Sequence, residues 1–231
     1  MLISAAHDDA ELAHMVEQRV AGLPIEHVVG FAEFCGLRIS LDVGVFVPRR
    51  RTEYLVSEAI ALSRPGAVVV DICCGSGALG VAVAAKQTIE LYSTDIEPSA
   101  VSCARRNVVP IGGQVFEGDL YSALPASLRG RVDILLSNVP YVPTGEVRLL
   151  PTEARLHEPL VTLDGGGDGL QVLRRVSAEA AQWLAPGGSV FVETSEEQAP
   201  VAAAIFMQDG LRSRVCTSDE LYATVVIGTK E

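Results

Sequence analysis

Apolar positions along the first sixty residues fall into two patterns. In "DDAELAHMVEQRVAG", Leu12, Met15, Val16 and Val20 recur near helical spacing, which predicts a helix over 8–21. "GFAEFCGLRISLDVGVFVP" instead alternates apolar and polar residues about "CG", the pattern of a β-hairpin; Pro48 closes it, and "RTEYLVSEAIAL" reads as helix again. From Ala67 strands and helices alternate. Strands are predicted at 67–73, 89–95, 114–118, 132–138, 188–194 and 222–228, and helices at 78–86, 98–107, 169–184 and 197–208. Pro98 suits a first helical turn, and "APGG" at 185–188 reads as a helix stop ahead of a strand. "LYATVVIGTK" follows "VCTSDE" closely enough for a terminal antiparallel hairpin. This order predicts an α/β fold: a doubly wound, mostly parallel seven-stranded sheet with helices on both faces. The expected organisation is a helix-and-hairpin appendage over 1–50 and a main domain over 51–231.

In open α/β sheets, ligands bind beyond the carboxyl ends of the strands. Four polar residues fall at such ends: Asp71 in "VVVDI", Asp95 ending "LYSTD", Asp119 ending "VFEGD" and Asn138 ending "DILLSN". After Asp71 comes "CCGSGALG", in which Gly75, Gly77 and Gly80 satisfy G-x-G-x-x-G. That pattern alone suits a dinucleotide, but a carboxylate beside the loop repels pyrophosphate. Asp71 favours a ligand carrying positive charge, such as S-adenosylmethionine with its ammonium and sulfonium groups. Its plainer reading is a strand-end carboxylate bonding nearby backbone. Asp95 can accept both hydroxyl hydrogens of a ribose, and Asp119 suits an adenine amino group.

Charge narrows the partners. With Lys and Arg 18 against Asp and Glu 29, the net charge is −11. Tight nucleic-acid binding usually needs a basic face, and the only basic cluster is the short "PRRRTE", so nucleic acid is disfavoured as a partner. The longest apolar runs, such as "GAVVV" and "VDILL", are far shorter than the ~20 residues of a membrane span. No basic, then apolar, leader opens the chain. The five cysteines, Cys35, Cys73, Cys74, Cys103 and Cys216, show no C-x-x-C spacing and suit reduced thiols of a cytoplasmic protein. Adjacent Cys73 and Cys74 read as strand packing, and no metal site is expected.

"VVVDICCGSGALG", "STDIEPSAV", "EGDLYSAL" and "DILLSNVPYVP" together resemble the successive motifs of class I S-adenosylmethionine-dependent methyltransferases, a Rossmann-like fold family. More narrowly, the chain resembles the HemK/PrmC-type protein-glutamine N5-methyltransferases. The likeness runs from about Arg19 to the end and includes "GFAEFCGLRISLDVGVFVPRRRTEYLV", "HEPLVTLDGGGDGLQVLRR" and "GGSVFVETSEEQ". The resemblance implies that Asp71, Gly75, Gly77, Asp95, Ile96, Asp119, Leu120 and Asn138 bind the cofactor. It also implies that Asn138, Val139, Pro140 and Tyr141 form the catalytic loop, acting on the side-chain amide of a glutamine in a protein substrate. Val139 stands where the family usually has proline, and Arg50 and Arg51 where it commonly has proline and an acidic residue.

Chemistry on such an amide asks for specific groups. An amide nitrogen is a weak nucleophile and must be held in line, with its hydrogens accepted by fixed oxygens. The Asn138 side-chain oxygen and the Val139 carbonyl are the candidates, Pro140 biases residue 139 toward extended backbone, and Tyr141 offers a flat wall.

Other readings are an amino-methyltransferase acting on a nucleic-acid base or a small molecule, a nicotinamide-dependent dehydrogenase, and a non-catalytic S-adenosylmethionine-binding protein. About twenty residues precede "RVAGLPIEHVVGFAEF", enough for one helix, whereas family members that modify release factors carry a helical amino-terminal domain. The expected acceptor is therefore a glutamine on another partner, or on a release factor held weakly.

Overall fold

The hairpin turn of this chain needs two residues with positive φ, and it has them. In the computed structural model, which describes Met1–Glu231, Cys35 and Gly36 have φ of 51° and 74° between β1 (Phe31–Phe34) and β2 (Leu37–Ser40). Two such residues match the twist of the paired strands. Ahead of the hairpin lie α1 (Leu2–Ala5), α2 (Asp9–Val20) and α3 (Ile25–Val29). The Asp8 carboxylate caps α2 by accepting from the Glu11 N–H at 2.8 Å.

After α4 (Glu53–Leu62) the chain alternates as its pattern requires: β3 (Ala67–Ile72), α5 (Ala78–Ala84), β4 (Ile89–Asp95), α6 (Pro98–Val108), β5 (Gln114–Glu117) and β6 (Val132–Ser137). It continues through α7 (Thr152–His157), α8 (Gln171–Trp183), β7 (Leu184–Thr194), α9 (Ala199–Gln208), β8 (Arg212–Ser218) and β9 (Ala223–Thr229). The sheet runs β5-β4-β3-β6-β7-β9-β8. The pairs among β3, β4, β5, β6 and β7 are parallel, and β9 runs antiparallel to both β7 and β8. The chain works outward from β3 to β5 and then returns to β6 on the other side of β3. That reversal opens a crevice at the carboxyl ends of β3 and β6.

Every residue of β3 is buried, as expected of a central parallel strand covered on both faces. On one face Val68, Val70, Leu135 and Val190 pack with Leu173 and Val176 of α8 and Phe206 of α9. On the other, Val69, Ile134 and Phe191 pack with Leu55 of α4 and Leu79 of α5, joined by Phe34 and Ile39 of the hairpin. The hairpin therefore shares a core with the sheet.

Some expectations change in detail. β3 ends at Ile72, so Cys73 and Cys74 lie in the loop beyond the strand; Cys74 is buried, but Cys73 faces open space. β7 begins at Leu184 and takes in the "APGG" stretch, with a register shift against β6 and Gly187 at φ 80°. Helices α1, α3 and α7 were not foreseen, because four to six residues are too few to display a period.

Candidate active site

A cavity of about 470 Å³ opens at the carboxyl ends of β3, β4, β5 and β6. Cys73, Gly75, Asp95, Ile96, Asp119 and Leu120 line one part of it, and Asn138, Val139, Pro140 and Tyr141 another. Beyond these, Phe46, Leu150, Pro151, Val161 and Leu163 make an apolar wall.

Each carboxylate of the first part is already tied to the protein. Asp95 accepts the Gly75 N–H at 2.8 Å through one oxygen and the Glu97 N–H at 3.0 Å through the other. These bonds fix both loops against the crevice and leave lone pairs over, since each carboxylate oxygen can accept twice. Burial pushes the Asp95 carboxyl above its ordinary range, against the opposing pull of those two bonds. Asp119 is held from the side by Arg175 of α8, whose Nη2 lies 2.6 Å from its Oδ2. Beside it the Leu120 N–H is free of any backbone acceptor.

Asp71 does not line the cavity wall. It is 1% exposed, and its Oδ2 accepts the Gly80 N–H at 3.0 Å, as the plainer reading of a strand-end carboxylate anticipates. Burial, aided by Asp95, pushes its carboxyl up to about 8. The three glycines also divide. Gly75 lines the cavity at φ 56°, whereas a Cβ on Gly77 would come within 2.6 Å of Val108 and one on Gly80 within 2.7 Å of Leu91. Gly77 and Gly80 thus serve close packing of α5 on α6 and β4 rather than the cavity.

Two non-glycine residues on the wall are held with positive φ, Cys73 at 56° and Leu120 at 48°. Such backbone costs ~1–3 kcal/mol per residue and persists where surrounding structure imposes it. Here Thr94 holds both loops: its carbonyl accepts the Cys74 N–H at 3.0 Å, and its hydroxyl donates to the Leu120 carbonyl at 3.2 Å.

The second part is built the opposite way. The Val139 carbonyl accepts no backbone hydrogen bond, and the Asn138 amide makes none with the protein. The loop is fixed from behind instead. Val142 donates to the Leu163 carbonyl at 3.1 Å, and Gly165 donates to the Val142 carbonyl at 2.8 Å. A Cβ on Gly165 would stand 2.7 Å from the Pro140 carbonyl, and one on Gly169 2.2 Å from the Tyr141 carbonyl. Gly165 and Gly169 are therefore clamp positions that no side chain could take. Gln198, the residue just before α9, adds a bond from Nε2 to the Tyr141 carbonyl at 2.8 Å.

Sequence reasoning missed Arg175, Gln198 and Glu193. Glu193 is 1% exposed within β7, and a charged residue in the apolar run "SVFVET" was the one signal available.

The donor set fits S-adenosylmethionine. Asp95, whose two oxygens each accept one backbone N–H and keep a lone pair over, suits the hydroxyl hydrogens of a ribose. An acceptor on Asp119 beside a free donor on Leu120 matches the amino group and ring nitrogen of adenine.

Comparison with known proteins agrees. A family model described as "Methyltransferase small domain" matches residues 41–175. The release factor glutamine methyltransferase of Geobacter sulfurreducens is 37% identical over 200 residues, 85% of this chain and 69% of that one. A 4-amino-L-phenylalanine/4-methylamino-L-phenylalanine methyltransferase of Streptomyces pristinaespiralis is 36% identical, covering 85% of this chain and 70% of that one. Among solved structures, a methyltransferase from Pyrococcus furiosus superposes with a TM-score of 0.63 at 16% identity, covering 96% of this chain and 99% of that one, which speaks to fold alone. No helix is long and apolar enough to cross a membrane. With this sheet, this crevice and these relatives, the chain belongs to the methyltransferase small domain family, and within it to the S-adenosylmethionine-dependent N-methyltransferases of HemK/PrmC type.

Proposed function

We propose that the protein methylates the side-chain amide nitrogen of a glutamine in a protein substrate. The observation that carries this reading is the pair of unengaged oxygens, Asn138 Oδ1 and the Val139 carbonyl, adjacent in a loop clamped from behind. Two fixed acceptors side by side suit the two hydrogens of a primary amide. Bound S-adenosylmethionine supplies an electrophilic methyl group. Asp95 and Gly75 would hold its ribose end, Asp119 and Leu120 its adenine, and Ile96 would lie against the base. Asp71 stands behind the glycine loop, where its carboxyl accepts the Gly80 N–H and carries charge only once its proton is lost.

Asn138 and Val139 orient the acceptor, and the Tyr141 ring limits its tilt, so rate enhancement comes from positioning and exclusion of water. No strong base is needed at the outset, because the proton leaves late in the transfer. The Tyr141 phenol is pushed up by burial and by Glu193, which suits a wall rather than a base. Release factors are the first substrates to test, because relatives of this similarity act on them.

A second reading, a small aromatic amine as acceptor, draws on the Streptomyces pristinaespiralis relative and on the apolar wall from Phe46 to Leu163. Incubation with S-adenosylmethionine and either a glutamine-bearing release-factor peptide or 4-amino-L-phenylalanine separates the two. Mass spectrometry should place a methyl on the glutamine amide. Methylation of the amine alone would overturn the glutamine assignment.

A further inference from the structure

Tyr141 is bound on its hydroxyl as well as on its backbone, and the two groups that bind it have no part in the roles above. Its hydroxyl donates to Glu193 Oε1 at 2.7 Å and accepts from Arg51 Nη2 at 2.7 Å. Arg51 Nε in turn donates to the same Glu193 oxygen at 2.8 Å, so each of the three touches the other two. They come from three separate places: the turn before α4, the loop after β6, and the carboxyl end of β7. Arg51 and Tyr141 line the cavity, and the Arg51 guanidinium carbon stands 5.9 Å from the Tyr141 ring centre.

The arrangement is costly for a merely structural contact. Glu193 is 1% exposed, and its second oxygen, Oε2, has no partner at all. A buried ion pair with an unsatisfied oxygen contributes little to folding compared with apolar residues of similar size. What it does supply is direction. A tyrosine ring facing open space can rock about its side-chain torsions at small cost, because that torsion is broad. Two charge-assisted bonds, converging from different elements, hold the hydroxyl end in place, and because a phenol donates and accepts in the plane of its ring they also favour one setting of that plane.

We infer that Arg51 and Glu193 are positioning residues for the methyl acceptor, fixing the plane of Tyr141 so that the acceptor lies flat between the ring and the Asn138 and Val139 oxygens. This rests on the glutamine reading for the identity of the acceptor, though not for the lock itself. The hydroxyl proton is committed to Glu193, so the group acts through geometry and not by exchanging a proton with the acceptor. Arg51 is the informative handle: its side chain is 46% exposed, so its replacement threatens folding far less than replacement of Glu193.

The test is a double-mutant cycle in methyl transfer to a glutamine peptide, using Arg51→Met, Tyr141→Phe and the pair together. Each single variant should lower kcat on the order of tenfold, within the range that small misplacements produce, while the S-adenosylmethionine Kd stays within about twofold. The double variant should be no slower than the slower single, because both remove one lock. Arg51→Lys should recover part of the loss, since an ammonium can pair with Glu193 but lacks the fork that reaches both partners. Multiplying losses in the double variant, or an unchanged kcat in Arg51→Met, overturns the proposal. If wild type transfers no methyl to the peptide, it is the glutamine reading that fails. The Tyr141 hydroxyl proton, followed by NMR without acceptor, then decides on the lock: slow exchange in wild type and fast exchange in Arg51→Met are expected, and slow exchange in both refutes it.

Discussion

The two parts of the cavity hold their polar groups in opposite ways. Where Asp95 and Asp119 line it, with Asp71 buried behind them, every carboxylate also holds up the protein, through Gly75 and Glu97, through Arg175, or through Gly80. Around Asn138 its side-chain amide and the Val139 carbonyl hold nothing, and support comes from Gly165, Gly169, Gln198, Arg51 and Glu193. Carboxylates have lone pairs to spare, so one residue can brace a loop and still take a ligand. A single amide oxygen, which the proposed function aims at a reacting nitrogen, has less to share, so its bracing is delegated to neighbours. Mutations in the first part should therefore mix binding with local stability, and mutations in the second should separate rate from both.

The largest effect should come from Asn138→Ala. Loss of a fixed hydrogen bond to the reacting group should lower kcat roughly 10²–10³-fold, about 3–4 kcal/mol, by analogy with removal of an oxyanion-hole donor. Calorimetry should find cofactor affinity nearly unchanged, and near-normal single-turnover rates would show that the acceptor is held by other groups. Asp95→Ala should do the reverse. Loss of charge-assisted bonds should weaken S-adenosylmethionine binding by about 10–100-fold, with a lowered melting temperature because Gly75 and Glu97 lose their acceptor. A variant that binds normally would remove Asp95 from the cofactor site.

Asp71 offers a sharper test through pH. Its carboxyl titrates near 8, so below that pH it is largely neutral, and a cation bound above it favours loss of the proton. Cofactor affinity should rise with pH up to about 8, by at most about tenfold per pH unit for one proton released, and Asp71→Asn should flatten the profile. Stability of the unliganded protein should move the other way. A carboxyl whose folded value is raised contributes stability that is present near pH 4 and lost as pH climbs toward 8, and denaturant midpoints in wild type and Asp71→Asn would measure it. Identical pH profiles in the two proteins would place Asp71 outside both effects.

The smallest effect should be that of Val139→Pro. The Val139 N–H has no backbone acceptor to lose, and the carbonyl survives the change. Val139 is 2% exposed within the core, so lost packing offsets the ~0.4–1 kcal/mol gained from a stiffer unfolded chain, and stability close to wild type with kcat within about threefold is expected from unfolding curves and kinetics. A large loss of activity would mean that residue 138 cannot adopt the extended backbone a following proline demands.

The buried character of β3 and β6, the glycine loop and the polar residues at the strand ends were all legible in the sequence. Hydrophobic period and local turn chemistry act over a few residues and leave their mark in order along the chain. "SNVPYVP" stood out as a candidate site for the same reason: a polar amide ends an apolar strand and a proline follows close behind. Distance along the chain hid the rest. Arg51 and Glu193 are separated by 142 positions and Asp119 and Arg175 by 56, and no local pattern announces that they meet. Tertiary structure also decided which glycines face the cavity. Gly75, Gly77 and Gly80 look alike in the sequence, yet the approach of Val108 and Leu91 turns two of them toward packing. It likewise put Asp71 behind the loop instead of on the cavity wall, because β3 is central and covered on both faces. Sequence determined which groups stand at the crevice; the packing of distant elements decided which of them are free to act.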